Sequence, residues 1–206
     1  MFVVPVRGVV AIAALIASYS FGAADENKLY IVQDSTLAGP IGNTLFVDQS
    51  SSQGSTVMGV PDDTTLISGP SSINASTSAL DPATLPAVQI GSGNDAAINL
   101  SGALSLGMLS QTGNGNAAII DVSGDRSIGA VRQVGDRNTG KVNVAGDDLT
   151  GILIQNGHDN SQTLNVTNAN VTWTQNGNNI TQGDASAFGN PSVISNGATV
   201  IVTQTR

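Results

Sequence analysis

Between Leu85 and Asn179 apolar and polar residues alternate in short runs, and the runs recur. The phrase that marks them is Gln-x-Gly-x-x-Asn: Gln89 to Asn94, Gln111 to Asn116, Gln133 to Asn138 and Gln155 to Asn160, with a compressed copy at Gln175-Asn-Gly177-Asn-Asn179. With each Gln as position zero, Ala87, Leu109, Val131, Leu153 and Trp173 stand at −2, and Leu85, Gly107, Gly129, Gly151 and Val171 at −4. Side chains two apart in a strand share a face, so −4, −2 and 0 point the same way. After the turn the alternation resumes, with Ile98, Ile120, Val142 and Leu164 at +9 and Leu100, Val122, Val144 and Val166 at +11. Polar Asn99, Asp121, Asn143 and Asn165 separate those rows. Gly102, Gly124, Gly146 and Asn168 mark a second turn. Each unit of ~22 residues therefore reads as strand, turn, strand, turn, a hairpin-like coil around a thin apolar interior, and a fixed period of this size predicts a stacked architecture. The predicted fold is an all-β solenoid of the cross-β type.

One coil leaves its interior and its backbone groups unpartnered; a second coil stacked about 4.8 Å away supplies both. Stacking in register places Gln89, Gln111, Gln133, Gln155 and Gln175 in one row and Asn94, Asn116, Asn138 and Asn160 in another. Such rows are expected to form side-chain amide ladders, which fix register as well as satisfy buried polar groups. Gly91, Gly113, Gly135, Gly157 and Gly177 are expected to supply the tight turn, where φ is positive. The same stacking pairs Arg137 with Asp159 and sets Asp125 on Asp147. The Asp residues read either as brakes on uncontrolled assembly or as solvated turn residues.

The flanks divide the chain further. Residues 1–24 have the form of a secretory signal peptide: Arg7, an apolar run from Val9 to Ala17, then Gly22-Ala23-Ala24, with cleavage expected before Asp25. The apolar run is too short for a membrane anchor. Residues 25–68 form a degenerate repeat region, with alternating segments at 29–33 and 43–49 and weaker strand candidates at 55–60 and 64–68. Residues 69–84, polar, Ser-rich and bracketed by Pro70 and Pro82, read as a linker; 85–179 is the repeat array. Residues 180–206 read as a loop followed by a β-prone closing strand, Ala198 to Gln204, which is an aggregation hazard on an open edge.

Composition sharpens this picture. Aromatic residues are 3 % and charged residues 11 %, too few for an ordinary large core but suited to short β-branched strands joined by Gly and Asn. The net charge is −8 and no basic stripe exists, which argues against nucleic-acid binding. Without cysteine there is neither a disulfide framework nor a Cys-based metal site. His158 is the only histidine and sits at a turn tip between Gly157 and Asp159, where it reads as an exposed turn residue with no second His beside it. The Gly-Asp pairs do not follow the nine-residue calcium β-roll pattern. Trp173 is expected to cap or fill one end of the stack. No catalytic residue, cofactor or metal ligand is expected.

The in-register Gln-x-Gly-x-x-Asn phrase between alternating strands, with Ser105 and Ser127 six residues before their Gln and Ala96 and Ala118 shortly after the Asn, resembles the curlin repeat. Where that family closes the second strand with Gln, this chain has Leu100, Val122, Val144 and Val166, although Gln49 keeps the residue in the N-terminal echo. The resemblance implies a secreted bacterial subunit of curli-type amyloid fibres, involved in biofilm matrix and surface adhesion. Its implied partners are further copies of itself, other curlin-like subunits and a curli-type secretion channel. A minor nucleating or accessory subunit and a monomeric solenoid adhesin are the alternatives.

Overall fold

The computed structural model describes residues 27–34, 42–67, 82, 84–181 and 199–206. The expected signal peptide, most of the expected linker and the loop before the closing strand lie outside them. The described elements are β1 (Lys28–Leu29), β2 (Ile31–Asp34), β3 (Thr44–Asp48), β4 (Thr56–Met58), a 3-10 turn (Thr64–Leu66), β5 (Ala87–Ile90), β6 (Asp95–Leu100), β7 (Leu106–Thr112), β8 (Ala117–Val122), β9 (Ile128–Val134), β10 (Thr139–Val144), β11 (Thr150–Asn156), β12 (Ser161–Val166), β13 (Asn170–Asn176) and β14 (Thr199–Thr205). They form two parallel sheets. The larger, nine-stranded, runs β1-β4-β7-β9-β11-β13-β14, with β5 joining β2 to β7; the smaller, five-stranded, runs β12-β10-β8-β6-β3. Each coil as far as β11 and β12 gives a strand to each sheet, and the fold is the all-β solenoid expected from the pattern. The hairpin-like description is corrected in one respect. The two strands of a coil belong to different sheets, and every ladder is parallel and runs between coils.

The interior forms where the sheets face each other, and its packing explains the small residues at −4. A Cβ on Gly129 would lie 2.7 Å from Ile120 Cγ2 and 2.8 Å from Val122 Cγ2. On Gly151 it would meet Val142, Val144 and Val166, each at 3.0 Å. The branched residues at +9 and +11 of the smaller sheet thus fill the space that glycine vacates in the larger one. Overfilling such a site costs about 1–3 kcal/mol. Trp173 is buried in this interior, one strand in from the β14 edge, where it aligns between Leu153 and Val202.

The N-terminal region belongs to the stack. β2 pairs with β5 so that Gln33 meets Gln89, and β3 pairs with β6. β4 and β5 are two halves of one strand: Thr56, Val57 and Met58 lie opposite Leu106, Gly107 and Met108, while Val88, Gln89 and Ile90 lie opposite Ser110, Gln111 and Thr112. The three residues of β4 and four of β5 equal the seven of β7. The chain therefore leaves the middle of a strand after Met58 and re-enters it at Ala87. Position −4 of that coil is filled by Val57, not by Leu85. Leu85 instead packs on the outer side of the larger sheet, beside Met58, Val60 and Ile67. The strand expected at 64–68 is a single 3-10 turn, because the Asp63 carboxylate accepts the Thr65 N–H at 3.0 Å and its hydroxyl, which caps a turn and opposes an extended run.

Candidate functional site

The repeated polar residues form continuous ladders through the stack. Gln89 Nε2 donates to Gln111 Oε1 at 2.7 Å, Gln111 to Gln133 at 2.8 Å, Gln133 to Gln155 at 2.9 Å and Gln155 to Gln175 at 2.8 Å. The row extends beyond the repeat array at both ends, with Gln33 donating to Gln89 and Gln175 to Gln204. The second Nε2 hydrogen crosses to the smaller sheet: Gln89 to Thr44 O at 3.0 Å, Gln133 to Ala117 O at 2.9 Å and Gln155 to Thr139 O at 3.1 Å. Each inner amide thus donates twice and accepts once while fully buried. The ladder also holds the two sheets together. Gln33 and Gln204 were not among the expected rungs. Their signal is the inward triplet they close, Leu29, Ile31, Gln33 and Val200, Val202, Gln204, which matches the strand pattern of the repeats.

The Asn row works at the turn. Asn116 donates its N–H and Nδ2 to Asn94 Oδ1 at 3.0 and 3.1 Å, and Asn138 repeats this on Asn116 at 3.0 and 3.1 Å. The N–H of Asn160 meets Asn138 Oδ1 at 3.1 Å. Asn94, Asn116, Asn138 and Asn160 each also donate at 2.8 Å to a turn-glycine carbonyl of the following coil, those of Gly113, Gly135, Gly157 and Gly177. Gly91, Gly113, Gly135, Gly157 and Gly177 have φ between 113° and 130°. A Cβ on Gly113 would lie 2.0 Å from the Gly135 carbonyl oxygen. Glycine is required there both by conformation and by the approach of the next coil. On the opposite arc Ser55, Ser105 and Ser127 donate to the carbonyls of Gly102, Gly124 and Gly146 at 2.9, 2.6 and 2.7 Å. Ser55 is the leading serine of the interrupted coil, which sequence reading missed because residues 59–86 separate it from Gln89.

The exposed turns carry ladders of their own. Ser92 N–H donates to Asn114 Oδ1, Asn114 N–H to Asp136 Oδ1, Asp136 N–H to His158 Nδ1 and His158 N–H to Asn178 Oδ1, at 2.8 to 3.0 Å. Asp125 accepts from Ala103 N–H at 2.8 Å, and Asp147 from Asp125 N–H at 2.9 Å, so the like-charged pair is bridged by backbone donors. Arg137 makes two bonds to Asp159, both 2.7 Å, and Arg126 makes an equivalent pair with Asp148 at 2.8 and 2.7 Å. The guanidinium bonds hold both carboxyls below their ordinary range. Among the described residues no group of three or more His, Asp or Glu side chains is placed to hold a metal ion.

What this arrangement can do is add strands. Among the described strands β14 bonds only to β13, β1 only to β4 and β2 only to β5, leaving both ends of the larger sheet with an unpaired edge. Leu29 and Ile31 at one end, and Val200 and Val202 at the other, are only partly covered. No family model, curated protein or solved structure matches this chain.

Proposed function

We propose that this chain is a structural subunit of secreted, curlin-like amyloid fibres, which grow by adding copies end to end outside the cell. The reading rests on one observation: the two terminal edges of the nine-stranded sheet carry matching inward triplets of two aliphatic residues and a Gln, Leu29, Ile31, Gln33 and Val200, Val202, Gln204. A second copy placed in parallel on β14 brings its Gln33 to Gln204 and continues the amide row across the junction. The rule that adds a coil then adds a molecule. Export through a curli-type channel and contact with other curlin-like subunits complete the proposal.

A second reading, a minor nucleating or accessory subunit or a monomeric adhesin, draws support from the unevenness of the C-terminal end. The smaller sheet ends at β12, followed only by the bridge from Ser161 to Thr181, while the larger one continues through β13 and β14. Among the described residues, a copy docking there meets an open edge in one sheet.

The test is to dilute the chain from residue 25 onward out of denaturant and follow thioflavin fluorescence and sedimentation. Seedable assembly, with a fibre reflection near about 4.8 Å, is expected. Replacing Gln111, Gln133 and Gln155 together by Ala is expected to slow assembly and lower fibre stability, because each truncation strands the partners of a buried amide. A chain that stays monomeric for days in the presence of seeds overturns the fibre reading and favours the adhesin.

A further inference from the structure

The larger sheet has two apolar faces. The inward one is the shared interior. The outward one carries Leu106 and Met108 on β7, Ile128 and Ala130 on β9, and Ile152 and Ile154 on β11, all buried. What buries them is the excursion from the interrupted strand: Met58 at its exit, then Val60 and Ile67, with Leu85 on its return. The excursion closes on itself at its root, where Gly59 N–H donates to Leu85 O at 2.8 Å. Asp62 pairs with the outward-facing Arg132 of β9 at 2.9 Å and holds the segment across the sheet.

Two facts tie this cover to the face beneath it. Met108, Ala130 and Ile152 form one outward row, which continues to Thr172 and then Ile201. The row is apolar under the excursion, turns polar at Thr172, and ends in Ile201, which is 73 % exposed. The strand is also complete without the excursion. Tyr30 spans the break, donating its N–H to Val57 O at 3.0 Å and accepting from Ala87 N–H at 2.7 Å, which places Met58 and Ala87 as successive residues of one strand.

We propose that the two described flanks of this excursion, residues 59–67 and 84–86, are a built-in shield: they occupy, in cis, an apolar sheet face on which a second copy of this chain would otherwise pack face to face. In-register apolar rows on a flat sheet are what dry, interdigitated sheet pairing uses, and an open face of this kind drives association. The shield supplies from its own chain the side chains that an opposing sheet would bring. It confines assembly to the ends of the stack. Single arrays suffice for face pairing, so the inference does not depend on end-to-end growth.

The experiment joins Met58 directly to Ala87 and measures sedimentation mass of the freshly refolded soluble chain, alongside fibre width by electron microscopy. A doubling of the soluble mass is expected, together with laterally bundled fibres if fibres form. Adding Ile152→Lys on the bared face returns the mass to that of a monomer, whereas Val202→Lys at the β14 edge does not. A shortened chain with parental β-sheet circular dichroism and unchanged monomer mass overturns the proposal. Should the shortened chain fail to fold, the full chain with Asp62→Arg and Val60→Asp carries the test. Faster protease cleavage within 59–86 with increased mass supports the shield, and faster cleavage with unchanged mass overturns it. Loss of elongation with soluble dimers still formed refutes only the fibre reading.

Discussion

The buried Gln side chains of the ladder are satisfied by the neighbours that stacking places above and below them. Gln133 accepts from Gln111 and donates to Gln155 and to the Ala117 carbonyl, so both amide hydrogens and the carbonyl oxygen have partners inside the stack. Thr150 is the contrast. It stands in the outward row of Leu106 and Ile128, is buried, and its Oγ1 has no hydrogen-bond partner among the described residues. A hydroxyl buried without a partner costs on the order of 1–3 kcal/mol, while the β-branched shape suits the strand. Thr150→Val keeps that shape and removes the orphan oxygen. The midpoint of urea unfolding is expected to rise, by about 1 kcal/mol in stability with the slope unchanged. A lower midpoint means that the hydroxyl has a partner in solution.

At the scale of strands and turns, the legible part of the fold was what the period repeats. The alternation at −2, +9 and +11 identified the interior, and the Gln, Asn and Gly rows located the ladders, because stacked coils must place equal positions over one another. The unread part is what breaks the period. Residues 59–86 divide one strand, so Ser55 and Val57 lost their repeat positions, and Leu85 took an apparent place at −4 that belongs to Val57. No local propensity reveals that Met58 and Ala87 are neighbours; only pairing with Tyr30 and β7 does. The turn chemistry was read in part. The Arg137–Asp159 pair followed from stacking; Arg126–Asp148 has the same 22-residue spacing and was legible by the same rule, but was missed. Both carboxyls are held below their ordinary range by the guanidinium hydrogen bonds. A carboxyl depressed in the folded state adds stability above its unfolded pKa and loses it as pH falls through the folded value. Asp159→Asn is therefore expected to lower the melting temperature slightly at neutral pH, and the gap to the parent should close once the pH drops below the ordinary carboxylate range. A gap that persists in acid assigns the effect to turn geometry, since Asp159 has φ of 59°.

For the molecule as a whole, the decisive property is that its two ends differ. The N-terminal end presents β2 and β3, an edge in each sheet, whereas β14 extends the larger sheet beyond the last strand of the smaller one. In the proposed assembly a junction between copies is heterologous, end to opposite end, and such contacts build an open filament where the rotation between copies does not close. This polarity makes a prediction that a symmetric interface does not. Val202 lies on the inward row of β14 and is only partly covered, so Val202→Lys leaves the charge in water in a single molecule. Once another copy stacks on β14, the same ammonium is buried without a partner, which disfavours addition at that end. Its own N-terminal end is unaltered and still docks on the β14 edge of a parental fibre. The variant is expected to seed poorly by itself but to act as a chain terminator, stopping elongation at one end when present well below the concentration of the parental chain. Ile31→Lys is expected to stop the other end, and the two together to arrest growth where either alone only halves it. Seeded elongation followed by thioflavin fluorescence, with growth at individual fibre ends watched by microscopy, distinguishes these outcomes. Parental elongation rates in the presence of both variants would exclude the β14-to-β2 junction.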